Sequence, residues 1–328
     1  MSLQIDSQQS LVSVIVPVYN RSIYLKQAIQ SALDQTYQNI EIIVTDDCSP
    51  ESPQEIVESF NDSRIRFRRN ENNLGVASNI ISAVKEARGQ YVASLNDDDM
   101  WNEDFLEKLV PQLDRNQDLA LAFCDHYIID DRSNIDDAAT EECTHMWKRD
   151  ELKEGTYQPF YEIALVNQAV PSSVAAVIRK DAIDWDKFPP QAGPFWDLYL
   201  TYMACRSGAG AYYSPERLSK YRNHALSETM NIGSKNIKAK IRGAKATIFC
   251  FRQFMEDEAL QEFKSYFRSR WLHAQTTLAI GLLRDENRKE ARPLLVNALI
   301  QQKFNTRTIA ALGLSFIPKP LVRKLFPA

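Results

Sequence analysis

The chain has 328 residues, of which 44% are hydrophobic and 25% charged, a composition typical of globular proteins. No apolar run approaches the roughly 18 residues of a membrane-spanning helix, and the opening MSLQIDSQQS lacks the basic start and apolar core of a signal peptide. The five cysteines are scattered without a close pair, which argues against a disulfide framework or a zinc site. This cysteine usage suits a reducing cytosol, and we expect a cytoplasmic protein.

The net charge of −4 conceals an asymmetry along the chain. Residues 231–328 carry 18 Lys and Arg against 7 Asp and Glu, a balance of +11, which leaves −15 for the rest. Two interpretations stay open. The basic third contacts an anionic surface or ligand, or it is a solvated helical face.

Strands and helices alternate over the first 95 residues. Hydrophobic periodicity predicts strands at 11–19, 40–44, 65–67 and 91–95, and helices at 23–33, 53–60 and 77–87. This alternation is typical of a parallel sheet with helices on its faces.

The rest of the chain is less regular. Strands are predicted at 119–124 and 174–178, and a helix at 195–205. The polar stretch 131–156 is expected to be a mobile loop. From about residue 235, two apolar stripes with helical spacing predict helices that pack on one another.

Polar side chains follow three of the predicted strands. These ends read Tyr19-Asn20-Arg21, Asp46-Asp47-Cys48-Ser49 and Asn96-Asp97-Asp98-Asp99. Ligands of open α/β sheets bind beyond the carboxyl ends of the strands. Clustered carboxylates resist joint ionisation unless a cation neutralises them, and Mg²⁺ and Mn²⁺ prefer oxygen ligands, often together with substrate phosphates. The competing interpretation is helix capping, which explains one aspartate but not three.

Glycine-based phosphate sites are not indicated. The sequence contains no G-x-G-x-x-G after the first strand, no G-x-x-x-x-G-K-[ST], and only 10 glycines. A divalent metal, Mg²⁺ or Mn²⁺, is therefore expected to hold the phosphates.

Five short stretches of the sequence resemble known motifs: VSVIVPVYNR, QTYQNIEIIVTDDCSP, NLGVASN, GQYVASLNDDDMW and LSKYRNH. Together and in this order they resemble the motifs of family 2 glycosyltransferases over roughly residues 11–226. The resemblance implies an α/β GT-A nucleotide-diphospho-sugar transferase fold, with a mostly parallel central sheet flanked by helices. It implies a nucleotide-sugar-binding half at 1–115 and an acceptor-binding half at 116–230. The resemblance does not extend beyond about residue 230, and the helical spacing there predicts a C-terminal helical extension at 231–328.

The resemblance also implies roles for particular residues. Asp98 would be the main metal ligand, in a variant D-x-D motif in which Asn96 replaces an aspartate. His224 would reach the metal or a phosphate, although a loop histidine without that role is the alternative, and Arg222 would lie near the diphosphate. The donor nucleotide would be bound by the following residues: Pro17, Val18, Tyr19, Asn20, Asp46, Asp47, Asn79, Asn96 and Asp97.

The position of a catalytic base is indicated by the stretch GPFWDLYLTYM. The family often has an acidic pair before an aromatic residue and a further aspartate, but here Pro194-Phe195 stands in place of that pair. Asp197 is the candidate that remains to accept the proton of the acceptor hydroxyl. The alternatives are that Asp197 caps or solvates the helix and a different acid is the base, or that the protein is inactive.

We therefore expect an inverting, metal-dependent glycosyltransferase that uses a nucleoside-diphosphate sugar, with a UDP-sugar favoured, and a saccharide or lipid-linked acceptor in bacterial surface glycan synthesis. No nucleic acid partner is expected. The alternatives are a non-catalytic nucleotide-sugar-binding protein and a membrane-surface scaffold. The closing FIPKPLVRKLFPA mixes apolar residues with Lys319, Arg323 and Lys324. It either contacts the inner face of a membrane peripherally or packs onto the helical region.

Overall fold

The computed structural model describes residues 9–225, 227, 230, 232, 236–302 and 304–317. The chain divides into two compact units. Unit 1 consists of Met1–Pro190 and Trp196–His224, and unit 2 of Gln191–Phe195 and Ala225–Ala328. Over the described ranges, no helix combines the length and apolar character needed to cross a membrane. The predicted division near residue 115 stays a prediction.

Unit 1 is built on a mixed sheet with helices on its faces. Its strands are β1 Val12–Val18, β2 Ile40–Asp46, β3 Ile65–Arg69, β4 Tyr91–Ser94, β5 Met100–Trp101, β6 Leu119–Ile129, β7 Gly155–Tyr157, β8 Ala176–Arg179 and β9 Gly210–Arg222. Its α-helices are α1 Leu25–Leu33, α2 Gln54–Glu58, α3 Val76–Glu86, α4 Phe105–Arg115, α5 Asp137–Met146 and α6 Trp196–Arg206. The strand order is β3-β2-β1-β4-β8-β6-β9-β5, and β7 pairs with β9.

The first four strands form a parallel half-sheet. Strands β1 and β2 run in register from the pair Val12 and Ile40 to the pair Val18 and Asp46, and β4 lies on the other side of β1. All seven residues of β1 are buried, as expected for a strand covered on both faces. The strands and helices predicted over residues 11–95 are confirmed, with ends that differ by one or two residues.

The second half of the sheet is mixed. Strand β8 lies antiparallel between β4 and β6, while β6 and β9 are parallel. The 13-residue β9 was not predicted. Its Pro215 and its charged residues interrupt the apolar pattern, because strand interiors ordinarily exclude proline.

The prediction of a mobile loop at 131–156 is wrong. This stretch contains α5, a 3₁₀ turn at Arg149–Glu151 and the start of β7. Helix α5 begins at the N-cap Asp136, whose carboxylate accepts a hydrogen bond from the Ala139 N–H. Its buried face is made of Thr140 and Thr144 rather than of apolar residues. The hydrophobic pattern therefore does not reveal this helix.

Unit 2 is helical, as predicted. Its long helices are α7 Ile237–Glu256, α8 Lys264–Arg284, α9 Arg288–Gln302 and α10 Thr306–Phe316. Phe251, Phe254 and Phe267 pack edge to face or tilted on one another, and Ala279 and Leu295 belong to a second buried cluster. The predicted stripes therefore supply core residues. The closing segment from 318 onward lies outside the described residues.

Candidate active site

The polar ends of β1 and β2 meet at one edge of the sheet because the strands are parallel. The Asp47 N–H donates to the Val18 carbonyl at 2.9 Å, and the Asn20 N–H donates to Ser49 Oγ at 2.8 Å. Asn20 and Cys48 have φ of 50° and 62°, in the left-handed region that asparagine tolerates better than most residues. The chain thus turns sharply at both strand ends and holds them together.

Three buried carboxylates follow β4. Asp97, Asp98 and Asp99 are 2%, 6% and 1% exposed, although such groups are rarely buried without a partner. The guanidinium of Arg21 contacts the first two. Its Nε lies 3.1 Å from Asp97 Oδ1, and its NH2 group forms ion pairs with Asp97 Oδ1 and, at 3.0 Å, with Asp98 Oδ2. Arg21 thus supplies a positive charge within the cluster.

The two residues predicted to bind metal lie side by side. His224 Nε2 is 2.9 Å from Asp98 Oδ2, and the ring of Tyr24 packs edge to face against His224, with centroids 5.1 Å apart. Carboxylate and imidazole are ligands that Mn²⁺ accepts. Among the described residues no group of three or more His, Cys, Asp or Glu side chains has metal-binding geometry. The structure thus brings one carboxylate and one imidazole together, and their predicted role as metal ligands stays a prediction.

Arg222 stabilises the loop that carries Asp97, Asp98 and Asp99. Its backbone N–H donates to Asp99 Oδ1 at 2.9 Å. Its guanidinium is fully buried and has partners for all five N–H groups, namely the carbonyls of Asp98 and Asp130, Ser133 Oγ, Gln27 Oε1 and Met100 Sδ. No donor is left for a phosphate in this arrangement. The predicted diphosphate role of Arg222 therefore gains no support, and Arg222 positions the carboxylate loop instead.

Burial changes the acidity of Asp97 and of Asp99. It raises the pKa of Asp97 to about 7, with Arg21 opposing the shift and Asp98 adding to it. Burial and then the charge of Asp98 raise the pKa of Asp99 well above its usual range. Asn96 donates to Asp99 Oδ2 at 2.8 Å, so the residue that departs from the family motif stabilises the loop. Perturbed carboxyl groups of this kind cluster at functional sites.

The residues after β2 that were predicted to bind the nucleotide take part in a buried hydrogen-bond network. Asp47 accepts hydrogen bonds from Asn70 Nδ2 and from the N–H groups of Leu74 and Gly75, at 2.9, 2.8 and 2.8 Å. Asn79 donates to the Thr45 carbonyl at 2.9 Å. These contacts fix the turn before α3.

Asp46 is fully buried and is paired within the protein. It accepts hydrogen bonds from the N–H and Oγ of Ser49 and forms an ion pair with Arg69. Asp46, Asp47 and Asn79 therefore shape the site, and their predicted contacts with a nucleotide stay predictions.

Of the residues at the end of β1 that were predicted to bind the nucleotide, Tyr19 and Asn20 are exposed. Tyr19 is 50% exposed just after β1, whereas Pro17 and Val18 are buried within it. The Tyr19 ring is thus accessible for stacking on a base. The predicted roles of Pro17, Val18, Tyr19 and Asn20 in nucleotide binding stay predictions.

The predicted catalytic base lies on a different element. Asp197 is in the first turn of α6, half-buried, and its Oδ1 accepts from the Leu198 N–H at 2.8 Å. Burial raises the pKa of Asp197, while hydrogen bonds from Leu198 and Ser173 oppose the shift. Among the described residues, no hydrogen bond or ion pair joins Asp197 to the carboxylate cluster.

Arg21 and Tyr24 have no individual role in the sequence interpretation. Arg21 meets Asp97 across 76 residues of sequence, and Tyr24 lies between His224 and Arg222, whose guanidinium carbon is 4.2 Å from the ring centroid. The sequence signal that could have indicated Arg21 is the charge balance, because three adjacent aspartates at a buried strand end require a nearby cation.

Comparison with known families agrees with this geometry. The model for "Glycosyl transferase family 2" matches residues 13–184. The chain belongs to this family. The predicted family is thereby confirmed.

Curated relatives of this family 2 protein include the glycosyltransferase GlyG of Streptococcus pneumoniae, 36% identical over 37% of this chain and 40% of the relative. The putative teichuronic acid biosynthesis glycosyltransferase TuaG of Bacillus subtilis is 41% identical over 30% of this chain and 40% of the relative. The Escherichia coli UDP-Glc:alpha-D-GlcNAc-diphosphoundecaprenol beta-1,3-glucosyltransferase WfgD is 36% identical over 38% and 49%. The chain thus spans less than half of the length of these relatives.

Solved structures share the fold of this family 2 protein. Staphylococcus aureus TarS 1-349 in complex with UDP-GlcNAc superimposes with a TM-score of 0.63 at 15% identity, over 95% of this chain and 91% of that chain. The mannosyltransferase PcManGT of Pyrobaculum calidifontis, in complex with GDP-Man and Mn²⁺, gives 0.55 at 16% identity, over 98% and 82%. At these identities the likeness shows the fold alone. The predicted GT-A fold is confirmed.

Proposed function

We propose that this protein transfers a sugar from a nucleoside-diphosphate sugar to a hydroxyl acceptor, with a divalent metal and with inversion, in bacterial surface glycan synthesis. The observation that carries the proposal is the pair of Asp98 and His224, 2.9 Å apart at the carboxyl end of the parallel half-sheet. This is where open α/β sheets bind ligands.

Asp98 and His224 would hold the metal, which as a Lewis acid would stabilise the charge of a departing diphosphate. Arg21 contacts Asp98 and Asp97, so it would have to give up part of these contacts when a metal binds. Tyr19 would stack on the nucleobase, and Asp46, Asp47, Asn79, Asn20, Asn96 and Asp97 would shape and bind the rest of the nucleotide.

Asp197 would take the proton from the acceptor hydroxyl as the anomeric carbon is attacked from the face opposite the leaving group. A raised pKa suits this role, because a base works best when its pKa lies near the working pH. Attack from the opposite face makes the transfer inverting.

A UDP-sugar is the favoured donor. The names of WfgD and of the TarS complex refer to UDP-Glc and UDP-GlcNAc, while the complex with GDP-Man leaves GDP-sugars as the next candidate. The names of WfgD and TuaG refer to a lipid diphosphate acceptor and to teichuronic acid biosynthesis. A saccharide or lipid-linked acceptor is therefore proposed here.

Donor hydrolysis tests the proposal without knowledge of the acceptor. The purified chain is incubated with UDP-, GDP- and dTDP-sugars, with Mn²⁺ or with a chelator, and the released nucleotide is measured. We expect metal-dependent release from one donor class. Binding of a nucleotide sugar without turnover would favour the non-catalytic alternative, which Pro194-Phe195 in place of the family's acidic pair motivates.

A further inference from the structure

Unit 2 contains a small pocket of about 160 Å³ whose ionisable lining is basic. Helix α7 contributes Lys240, and helix α8 contributes Arg270 and His273. The lining also includes the hydroxyl-bearing Thr247 and Thr277. No acidic residue is among the described side chains that line it.

A third cationic side chain, Arg307 of α10, contacts two of the residues that line this pocket. Arg307 NH1 lies 3.1 Å from His273 Nε2, and its NH2 donates to Thr277 Oγ1 at 3.0 Å. Three helices thus converge with positive charge on one cavity. Burial, then Arg307 and then Arg270 lower the pKa of His273, as expected where cations crowd without a compensating anion.

We propose that this basic pocket, formed by Lys240, Arg270 and His273 with Arg307 behind them, binds a phosphate group of a small anion or of a lipid headgroup. The volume is about five times the roughly 30 Å³ that one water takes in the liquid, so the pocket accommodates a phosphate-sized anion. Arginine offers a planar fork of donors to phosphate oxygens, and lysine adds a point charge.

The basic pocket shares no residue with the proposed donor site. Its residues belong to unit 2, and the resemblance to family 2 gives none of them a role. The basic excess of residues 231–328 supports the attraction of an anion to this unit. Two exposed apolar side chains, Ile300 and Phe304, precede Arg307, at 74% and 89% exposure. A lipid surface would cover apolar residues of this kind, whereas a free phosphate would leave them in water.

The test uses the full chain in the presence of a chelator, so that metal-dependent binding at the donor site does not contribute. Calorimetry measures binding of inorganic phosphate and of glycerol 3-phosphate, and co-sedimentation measures binding to phosphatidic acid vesicles against phosphatidylcholine vesicles. The pocket variant combines Lys240→Gln with Arg270→Gln. The matched control combines Lys238→Gln with Lys289→Gln, which removes the same charge from exposed positions of unit 2 that do not line the pocket.

We expect the wild type and the control to bind at least one phosphate probe, and the pocket variant to bind it at least tenfold more weakly. Binding of soluble phosphates identifies a small anion as the source, and binding confined to phosphatidic acid vesicles identifies a headgroup. Equal affinity of the pocket variant and the control, or no binding of any probe by the wild type, overturns the proposal. Should the double variant fail to fold by circular dichroism, Lys240→Gln against Lys238→Gln decides in the same way.

Discussion

Asp97, Asp98 and Asp99 follow one another after β4 and are all buried, yet the chain folds around them. Desolvation of a carboxylate costs several kcal/mol unless a partner compensates for it. Arg21 pairs with Asp97 and Asp98, while the Arg222 N–H and Asn96 satisfy Asp99. Arg21 thus supplies, within the protein, positive charge of the kind that a bound metal would bring.

Removal of Arg21 tests this role. In Arg21→Ala the carboxylates lose their cation, so we expect the unfolding free energy at pH 7.5 to fall by about 3–5 kcal/mol. The folded-state pKa of Asp97, already raised by burial, rises further. The loss is therefore present at pH 7.5 and shrinks toward pH 4.5, where Asp97 is protonated in the folded state. Urea unfolding at the two pH values measures it.

The control is Arg64→Ala, because the ion pair of Arg64 with Asp62 is partly exposed at the surface, with side chains 27% and 25% accessible. Such pairs contribute about 0–1 kcal/mol. Mn²⁺ should restore part of the stability of Arg21→Ala. A loss that is equal at both pH values, or no larger than in the control, would contradict the role assigned to Arg21.

Asp197 is tested by kinetics. Asp197→Asn removes the proposed base, so we expect kcat to fall by about 10²–10⁴ with unchanged donor affinity. Because burial raises the pKa of Asp197, the wild-type rate should decline on the acid side at a higher pH than for an ordinary carboxyl group. The exposed Asp186→Asn is the control, since the Asp186 side chain is 87% accessible. Near-normal turnover of Asp197→Asn would assign the base to another residue.

At the scale of elements, the sequence predicts β1, β2 and β4 of the parallel half-sheet well because these strands are almost entirely buried and mostly apolar. It fails over residues 131–156, where Thr140, Thr144 and Arg149 are buried polar residues. Arg149 is 2% exposed and its Nε lies 2.6 Å from Asp125 Oδ1, and Thr144 donates to the same carboxylate. A charged residue in a sequence ordinarily predicts a solvent-exposed position. The partner that allows Arg149 to be buried is 24 residues away, so no local pattern reveals it.

The Asp125–Arg149 pair gives a prediction at this scale. Arg149→Ala leaves Asp125 buried, with the partly exposed Arg217 at 3.5 Å and the His126 ring at 4.0 Å. We expect a loss of about 3 kcal/mol, and a smaller loss when Asp125→Ala is added, because the double variant contains no uncompensated charge. Chemical denaturation measures both, with the exposed Arg132→Ala as control. A double variant at least as destabilised as Arg149→Ala would show that packing outweighs the buried charge.

In the candidate site too, contacts between residues that are distant in sequence could not be predicted from local patterns. The acidic strand ends are visible in the sequence because their residues are contiguous, and they lie together because parallel strands end at one edge. The pairing of Asp98 with His224 spans 126 residues, and it was expected from the family resemblance rather than from any local pattern. The structural role of Arg222 could not be read from sequence, since its five guanidinium partners come from separate parts of the chain.

At the scale of the whole molecule, charge divides unevenly along the chain, with +11 in residues 231–328 and −15 before them. If the closing segment contacts a membrane, each of Lys319, Arg323 and Lys324 contributes about 1 kcal/mol at an anionic surface. We expect the full chain to sediment with anionic vesicles at low salt and a chain that ends at Ile317 to do so less. Equal, salt-insensitive recovery of both forms in the supernatant would exclude this contact.

The central claim is that Asp98 and His224 hold a metal that holds a nucleoside diphosphate. Calorimetric titration of UDP in the presence of Mn²⁺ tests it most directly, on the wild type, on Asp98→Asn and on the exposed control Asp118→Asn. We predict metal-dependent binding by the wild type and the control, and its loss in Asp98→Asn with the thermal unfolding transition retained. Unchanged affinity of Asp98→Asn in Mn²⁺ would contradict the account.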